Sequence, residues 1–448
     1  MFYVLPTACP QSMIDPAGMA PPSKEHGVSA NSKSNHIVAG AFGNILEWYD
    51  FAVFGFLAPV IADQFFPAHD SFAGLIRVYG VFAAGYLMRP LGGMVFGHIG
   101  DRVGRKRALE LSILMMALPT FLVGVLPTYA QIGTWAALLL IGLRLVQGVS
   151  IGGELIGSIS YIVEMAPPGK RGFHGSWTLF TATGGILLGS LLVMVLRNAL
   201  GDEAMAAWAW RVPFLLGIVI AGAGLWLRMG LPESDVFEAA SNQATRQSPV
   251  VEALREASGA IAHLCVLLCL FAAGFYILFV WMPTYYTDIL EPPVPHAYAV
   301  NSLAMVALLT AIPVAGALSD RFGRRRVLLT GMILTGFLSY PLFLVIDTGV
   351  AVYALGAQVI FAVVIALNQG PIPAYMAEMF PTRIRSSAIG IAYNVTVGVL
   401  GGTAPLVSTW LISETGNMAA PAFYLIGLAL VSATALLLLR VKQGEPLS

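Results

Sequence analysis

Apolar residues run through this chain in blocks about as long as a bilayer is thick. A membrane-crossing helix needs roughly 20 apolar residues in succession. Twelve stretches meet that length: 37–61, 73–96, 108–126, 134–162, 174–197, 211–230, 260–284, 298–318, 327–346, 350–375, 386–411 and 419–440. Short polar segments separate them, with one exception. The interval from Leu231 to Gly259 holds Glu233, Asp235, Glu238, Arg246, Glu252 and Arg255 and divides six stretches from six. The pattern predicts an all-α polytopic membrane protein. It has a cytoplasmic tail over 1–35, a six-helix bundle over 36–231, a linker over 232–259, a second six-helix bundle over 260–441 and a short tail over 442–448.

Orientation follows from Lys and Arg in the loops. With the N-terminus inside, Lys24, Lys33, Arg102, Arg105, Lys106, Arg107, Lys170, Arg171, Arg228, Arg246, Arg255, Arg321, Arg324, Arg325, Arg326, Arg383, Arg385, Arg440 and Lys442 all fall on one side. The opposite face receives Arg77, Arg197 and Arg211, each at a helix end. A miscounted helix would invert every later loop and scramble that sorting. Both termini are therefore expected in the cytoplasm. Composition agrees, since charged residues make up 11 % and hydrophobic residues 57 %, against about 25 % charged in soluble domains. Mean hydropathy is +0.77. The formal net charge of zero says nothing about partners, because the charges are sorted by location. Cys265 and Cys269 lie one turn apart on one apolar helix, an arrangement unsuited to a disulfide, and with Cys9 they form no metal set. No metal or cofactor is expected. Residues 1–34 are Pro/Ser-rich and carry no secretory signal pattern.

One motif occurs twice. Gly97-His98-Ile99-Gly100-Asp101-Arg102-Val103-Gly104-Arg105-Lys106-Arg107 and Gly316-Ala317-Leu318-Ser319-Asp320-Arg321-Phe322-Gly323-Arg324-Arg325-Arg326 share Gly-x-x-x-Asp-Arg-x-Gly-Arg-[Lys/Arg]-Arg, each as a loop between apolar stretches. A smaller signature follows each copy: Glu164-Met165-Ala166-Pro167 with Arg171, and Glu378-Met379-Phe380-Pro381 with Arg385. Two signatures in the same order make the chain two copies of one unit in one orientation.

Twelve helices, a parallel 6+6 repeat and the doubled loop resemble the major facilitator superfamily over nearly everything after residue 35. Further stretches are similar to its metabolite:proton symporter branch, which includes transporters for proline/betaine, α-ketoglutarate, citrate and shikimate. These are Gly43-Asn44-x-x-Glu47-Trp48-Tyr49-Asp50-Phe51, Arg89-Pro90-Leu91-Gly92, Arg144-x-x-Gln147-Gly148-x-x-x-Gly152-Gly153-Glu154, Trp210-Arg211-Val212-Pro213-Phe214 and Tyr393-Asn394. The resemblance implies a pseudo-twofold pair of bundles around a central cavity, alternating access, a bacterial inner membrane and a self-contained monomer. It also implies that the loop residues Gly97, Asp101, Arg102, Arg105, Asp320, Arg321 and Arg324 latch the halves together on the cytoplasmic side, with Glu164, Arg171, Glu378 and Arg385 completing the latch. Asp101 can accept from backbone N–H groups at a helix start or pair with Arg105. The fifth stretch, Thr183-Gly184-Gly185-Ile186-Leu187-Leu188-Gly189, lacks the Gly-Pro signature of the antiporter branch. That weighs against drug efflux without excluding export.

Ionised groups inside the bilayer carry the sharper signal, because each costs roughly 2.5–3.5 kcal/mol at a helix centre. Glu47, Asp50, Arg89, Arg144 and Glu154 all lie in the first half, and Glu47 and Asp50 share a helix face. Arg144 is expected to neutralise a carboxylate on the first helix. Glu154, Asp50 or Glu47 is the candidate carrier of a coupling proton. The competing reading is a static ion pair holding the first and fourth helices in register. Arg89 either meets a solute carboxylate or caps interhelical carbonyls.

The second half has no Arg or Lys in any span. Its polar groups include Asn301, Gln358, Asn368, Gln369 and Asn394. Asn368-Gln369-Gly370-Pro371 breaks the tenth stretch, and such breaks near the midplane are where transporters often place binding groups. Tyr276, Trp281, Tyr285 and Tyr393, with Trp48, Tyr49 and Trp177, are candidates for a partial aromatic cage, against the plainer reading as packing. Solute-binding candidates are Arg89, Gln147, Trp177, Tyr276, Trp281, Tyr285, Asn368, Gln369 and Asn394. Two cations against three carboxylates suit a zwitterion or monocarboxylate better than citrate. The expected function is proton-coupled symport of a small carboxylate-bearing metabolite. The expected partners are a small solute, H+ and the lipid bilayer, with no nucleic acid. An exporter or antiporter and a non-transporting membrane sensor stay open. A membrane enzyme finds no His-Glu-x-x-His or Gly-x-Ser-x-Gly, and no phosphate-binding Gly-Lys-[Ser/Thr] ending supports ATP drive.

Overall fold

The computed structural model describes residues 45, 47–67, 70–103, 105–150, 154–229 and 249–438. Among them all regular structure is helical, as hydrocarbon demands, because a helix satisfies its own backbone polar groups. Twelve spans follow the twelve stretches. They are α1 (residues 47–56 and Ala58–Phe65), α2 (Ser71–Leu87 and Arg89–Val103), α3 (Arg105–Val125), α4 (Thr134–Ser150 and Glu154–Met165), α5 (Arg171–Ala204) and α6 (Arg211–Met229). The second half holds α7 (Pro249–Leu267, continued to Ile289), α8 (Ala297–Phe322), α9 (Arg324–Ile346), α10 (Ala351–Gln369 and Ile372–Met379), α11 (Arg385–Thr396, continued to Thr415) and α12 (Ala420–Leu438).

Two boundaries differ from the sequence reading. The doubled motif is mostly helix rather than loop: residues 97–103 finish α2, and Gly316–Phe322 finishes α8. In the second copy the reversal is left to Gly323, whose φ of 91° and ψ of 141° suit only a residue without Cβ. The expected linker shortens as well, since the chain is helical from Pro249. That extension of α7 puts Glu252 and Glu256 on one face, and both pair with Arg383 just ahead of α11. The expected tails, 1–35 and 442–448, and residues 232–248 of the expected linker lie outside the described residues.

The halves meet along α5 with α8 and along α2 with α11. Small residues permit the approach. A Cβ on Gly316 would lie 2.5 Å from the Gly172 carbonyl oxygen, so α5 and α8 touch backbone to backbone at the end that carries the doubled motif. Toward the opposite end the contact continues through the Ser190 and Ser302 hydroxyls, 2.9 Å apart, and the Tyr298 hydroxyl, which donates to the Phe56 carbonyl at 2.7 Å. The Tyr79 hydroxyl reaches Thr284 Oγ1 at 2.9 Å. Both ends of the interface are therefore shut.

Between these closures lies a central cavity of about 30 Å³, lined by Trp48, Thr183, Tyr276, Gln369, Tyr393 and apolar neighbours from α1, α5, α7 and α11. Its volume matches the space of one water. Wider π-helical turns begin at Tyr276 in α7 and Val397 in α11, where both helices face the cavity. Such bulges turn side chains off the regular helical register.

Candidate functional site

The buried charges of the first half sort into two pairs rather than one cluster. Arg144 on α4 places Nη1 3.3 Å from Asp50 Oδ2 on α1. Arg89 on α2 places Nη2 3.4 Å from Glu47 Oε1. All four residues are buried. The expected neutralisation of a first-helix carboxylate by Arg144 thus falls on Asp50. Glu154 opens Glu154–Met165, and its side chain lies outside the described residues.

Asp50 has further partners. Thr120 Oγ1 on α3 lies 2.7 Å from Oδ1, and Gln147 Nε2, one turn beyond Arg144, donates to Oδ2 at 2.9 Å and to Thr120 Oγ1 at 2.7 Å. Phe54 lies under the Arg144 guanidinium, 3.8 Å from carbon to ring centroid. Arg144 Nε and Nη2 have no hydrogen-bond partner among the described residues. A cation held by one long ion pair and an aromatic face is incompletely compensated, which leaves it sensitive to the charge on Asp50.

The second pair lies within the first half but reaches a group of the other half. Arg89 Nε reaches Asn394 Oδ1 on α11 at 3.4 Å, and its guanidinium sits 5.4–5.9 Å from the rings of Tyr86, Trp48 and Tyr393. The Tyr86 and Tyr276 hydroxyls meet at 2.8 Å. Charge-assisted bonds normally close to about 2.7–2.9 Å. Arg89 is therefore loosely held beside the cavity, among cavity-lining aromatics. Trp48 Nε1 is buried there without a hydrogen-bond partner among the described residues.

The solute-binding candidates part company here. Tyr276 and Gln369 line the cavity, while Arg89 and Asn394 adjoin it. Gln147 belongs to the Asp50 network instead. Trp281 stacks on Tyr285 and donates its indole N–H to Thr409, and the Tyr285 hydroxyl donates to the Met418 carbonyl. Both serve packing within the second half. Asn368 Nδ2 turns back to the Val364 carbonyl at 3.5 Å. Trp177 is 40 % exposed on the outer face of α5 against Phe173 and Phe180, and the Tyr49 hydroxyl donates to Pro213 on α6. The aromatic set at the cavity is thus Trp48, Phe271, Phe275, Tyr276 and Tyr393. Sequence reading missed Thr120, Thr183 and the two phenylalanines, because a hydroxyl or ring in an apolar span carries no distinguishing local signal.

At the end of the bundle that carries the doubled motif, Asp320 accepts from the Gly172 and Phe173 N–H groups, both at 2.8 Å, capping the start of α5 from the other half. Arg324 holds Asp320 at 2.6 Å and Glu378 at 3.2 Å. Arg385 pairs with Glu164 across the halves while donating to the Ala377 carbonyl at 2.8 Å. Arg171 begins α5, and the Arg321 guanidinium lies over the Phe322 ring. Gly97 lies within α2, and the side chains of Asp101, Arg102 and Arg105 are outside the described residues.

With that geometry in hand, the comparisons are direct. The sugar (and other) transporter family model matches residues 36–265, and the major facilitator superfamily model matches 264–447. The chain is 34 % identical to the glycine betaine/proline/ectoine/pipecolic acid transporter of Dickeya dadantii, over 92 % of this chain and 84 % of that one. It is likewise 34 % identical to the shikimate transporter of Escherichia coli, over 94 % and 97 %. The chain belongs to the major facilitator superfamily. It is a multi-pass membrane protein whose relatives are transporters and not enzymes. Among solved structures, the xylose transporter of Escherichia coli in a partially occluded inward-open form covers 93 % of this chain and all of its own at a TM-score of 0.74. At 18 % identity that likeness carries the fold.

Proposed function

We propose that this chain is a proton-coupled symporter of the bacterial inner membrane. It moves a small carboxylate-bearing solute, an organic acid or a zwitterion such as proline or a betaine, with both termini cytoplasmic and a single chain as the working unit. The observation that carries the reading is the buried Asp50–Arg144 pair in the first half of a chain whose two halves line an aromatic cavity. Two opposing effects act on such a carboxylate, since burial disfavours its charge and the cation favours it. Alternating access changes both, so the group gains and loses its proton as the cavity changes face. Arg89 and the unpartnered Trp48 N–H supply donors for a solute carboxylate. The rings of Tyr276, Tyr393 and Phe275 offer faces to an alkylated cation or an apolar body. Glu47 withdraws from Arg89 as the solute takes its place. The names of the relatives, which include proline/betaine and shikimate transporters, support this class of cargo.

The test is uptake into proteoliposomes under an imposed inward proton gradient, with proline, glycine betaine, ectoine and shikimate as labelled probes. Accumulation above equilibrium with the gradient, and none without it, is the expected result for at least one probe. Asp50→Asn should lose that accumulation by roughly 100-fold, the scale of removing a functional intramembrane charge, while keeping counterflow of the same solute. Full gradient-driven accumulation by Asp50→Asn would sink the coupling assignment. Binding without counterflow would make the protein a sensor.

A further inference from the structure

We propose that Thr120 is the positioning residue that lets Asp50 be satisfied in both of its protonation states, a hydroxyl switch on α3 that turns without any heavy atom moving. The inference rests on the reading of Asp50 as the proton carrier.

Thr120 Oγ1 lies 2.7 Å from Asp50 Oδ1 and 2.7 Å from the Met116 carbonyl oxygen on its own helix. Both neighbours are acceptors when Asp50 is ionised, and the hydroxyl has one hydrogen to give. In that state it donates to Asp50 Oδ1, and Gln147 Nε2 donates to Asp50 Oδ2 at 2.9 Å and to Thr120 Oγ1 at 2.7 Å. When Asp50 carries a proton on Oδ1, that O–H donates to Thr120 Oγ1, and the Thr120 hydrogen swings to the Met116 carbonyl. Gln147 keeps its place in both arrangements. In each state the Thr120 hydroxyl and both Asp50 oxygens are bonded at the same distances, so the switch itself leaves none of them without a partner.

Packing fixes this geometry. Thr120 is 2 % exposed, and its methyl occupies the space opposite Gly217 on α6, where a Cβ would come within 2.8 Å of Cγ2. The methyl is therefore directed at α6 and the hydroxyl at α1. Arg144 from α4 is the cation facing Asp50. Tyr49, next in the chain, turns its hydroxyl to Pro213 on α6, and Tyr86 from α2 turns its own to Tyr276. Thr120 does not line the central cavity, so it acts through Asp50 and not on the solute.

Three variants of the full chain in proteoliposomes test the switch. Thr120→Ser keeps the hydroxyl. Thr120→Val keeps the shape without it. Thr120→Ala removes it without adding bulk, so a folding defect in one hydroxyl-free variant leaves the other to decide. Thr120→Val and Thr120→Ala should lose roughly tenfold in gradient-driven uptake, the worth of one hydrogen bond to a charged partner, and displace the midpoint of the pH profile by about one unit. Their KM in counterflow should stay within about twofold, and Thr120→Ser should restore the pH profile. An unchanged pH midpoint in both hydroxyl-free variants would overturn the switch, and so would a Thr120→Ser profile displaced as far as theirs. Asp50→Asn assayed alongside separates the two ideas. If it retains coupling, the proton-carrier reading fails. If it loses coupling while the Thr120 variants match the parent, only the switch fails.

Discussion

The two halves solve one packing problem with different chemistry. Arg144 and Gln358 each lie twenty residues before the glutamate of their own Glu-Met-x-Pro signature, Glu164 and Glu378, so they occupy corresponding places on α4 and α10. In the first half the position holds a guanidinium against a carboxylate at 3.3 Å, with two of its nitrogens unpartnered among the described residues. In the second it holds an amide that donates to Asn301 Oδ1 at 2.6 Å and to the Leu278 carbonyl at 2.9 Å, and accepts from the Tyr286 hydroxyl at 3.2 Å. The neutral network is short, closed and indifferent to protons. The charged one is stretched and changes with a proton. Membrane helices are glued as well by amides as by ion pairs, so retention of the costlier arrangement on one side points to work done there.

The largest effect should come from giving the first half the second half's chemistry. Arg144→Gln leaves Asp50 buried without its cation, and breaking a buried pair from one side costs about 3–5 kcal/mol. Gradient-driven uptake should vanish and the melting temperature of the purified protein should fall. Adding Asp50→Asn to Arg144→Gln removes the orphaned charge, so the double variant should recover most of the stability and none of the coupling. The double-mutant cycle measures that interaction directly. Recovery of proton-driven accumulation in the double variant would show that the charge serves packing alone.

The complementary change is milder. Gln358→Leu strips donors from Asn301 and the Leu278 carbonyl, each loss costing about 1–3 kcal/mol at a buried site. Melting should drop while the ratio of gradient-driven to counterflow uptake holds. A collapse of that ratio with little loss of stability would place coupling in both halves and end the contrast between them.

How much of this was legible in the sequence follows the same divide. Charges in hydrocarbon are costly enough that Glu47, Asp50, Arg89 and Arg144 could be picked out one by one, and the helix count followed from length and loop charge. Pairing was not readable. Whether Glu47 or Asp50 meets Arg144 depends on how α2 and α4 pack around α1, and the backbone contact of Gly85 with the carbonyl of Arg144, 3.1 Å from where a Cβ would stand, belongs to tertiary structure. The latch shows the same limit. Glu164 and Arg385 were both candidates, but their pairing across the halves follows from the pseudo-twofold meeting of α4 and α11. The break at Gly370-Pro371 was visible because Pro carries its constraint locally. The roles of Asn368 and Gln369 beside it diverged, since adjacent residues on a helix point about 100° apart.

The smallest expected effect concerns Trp177. Leu179, Ala182, Thr183 and Ile186 line the cavity from one face of α5. At about 100° per residue Trp177 falls on the other face, where it is 40 % exposed against Phe173 and Phe180. An aromatic there meets lipid, as membrane-interface tryptophans do. Trp177→Leu should therefore leave the KM of counterflow within about twofold and stability within roughly 0.5 kcal/mol, the usual range for surface changes. Trp48→Leu, at the cavity wall, should raise the same KM by about tenfold, the loss of one good aromatic contact. If Trp177→Leu weakens the solute as much as Trp48→Leu does, α5 must turn its outer face inward during the cycle, and this arrangement of the two halves is not the one in which the solute is held.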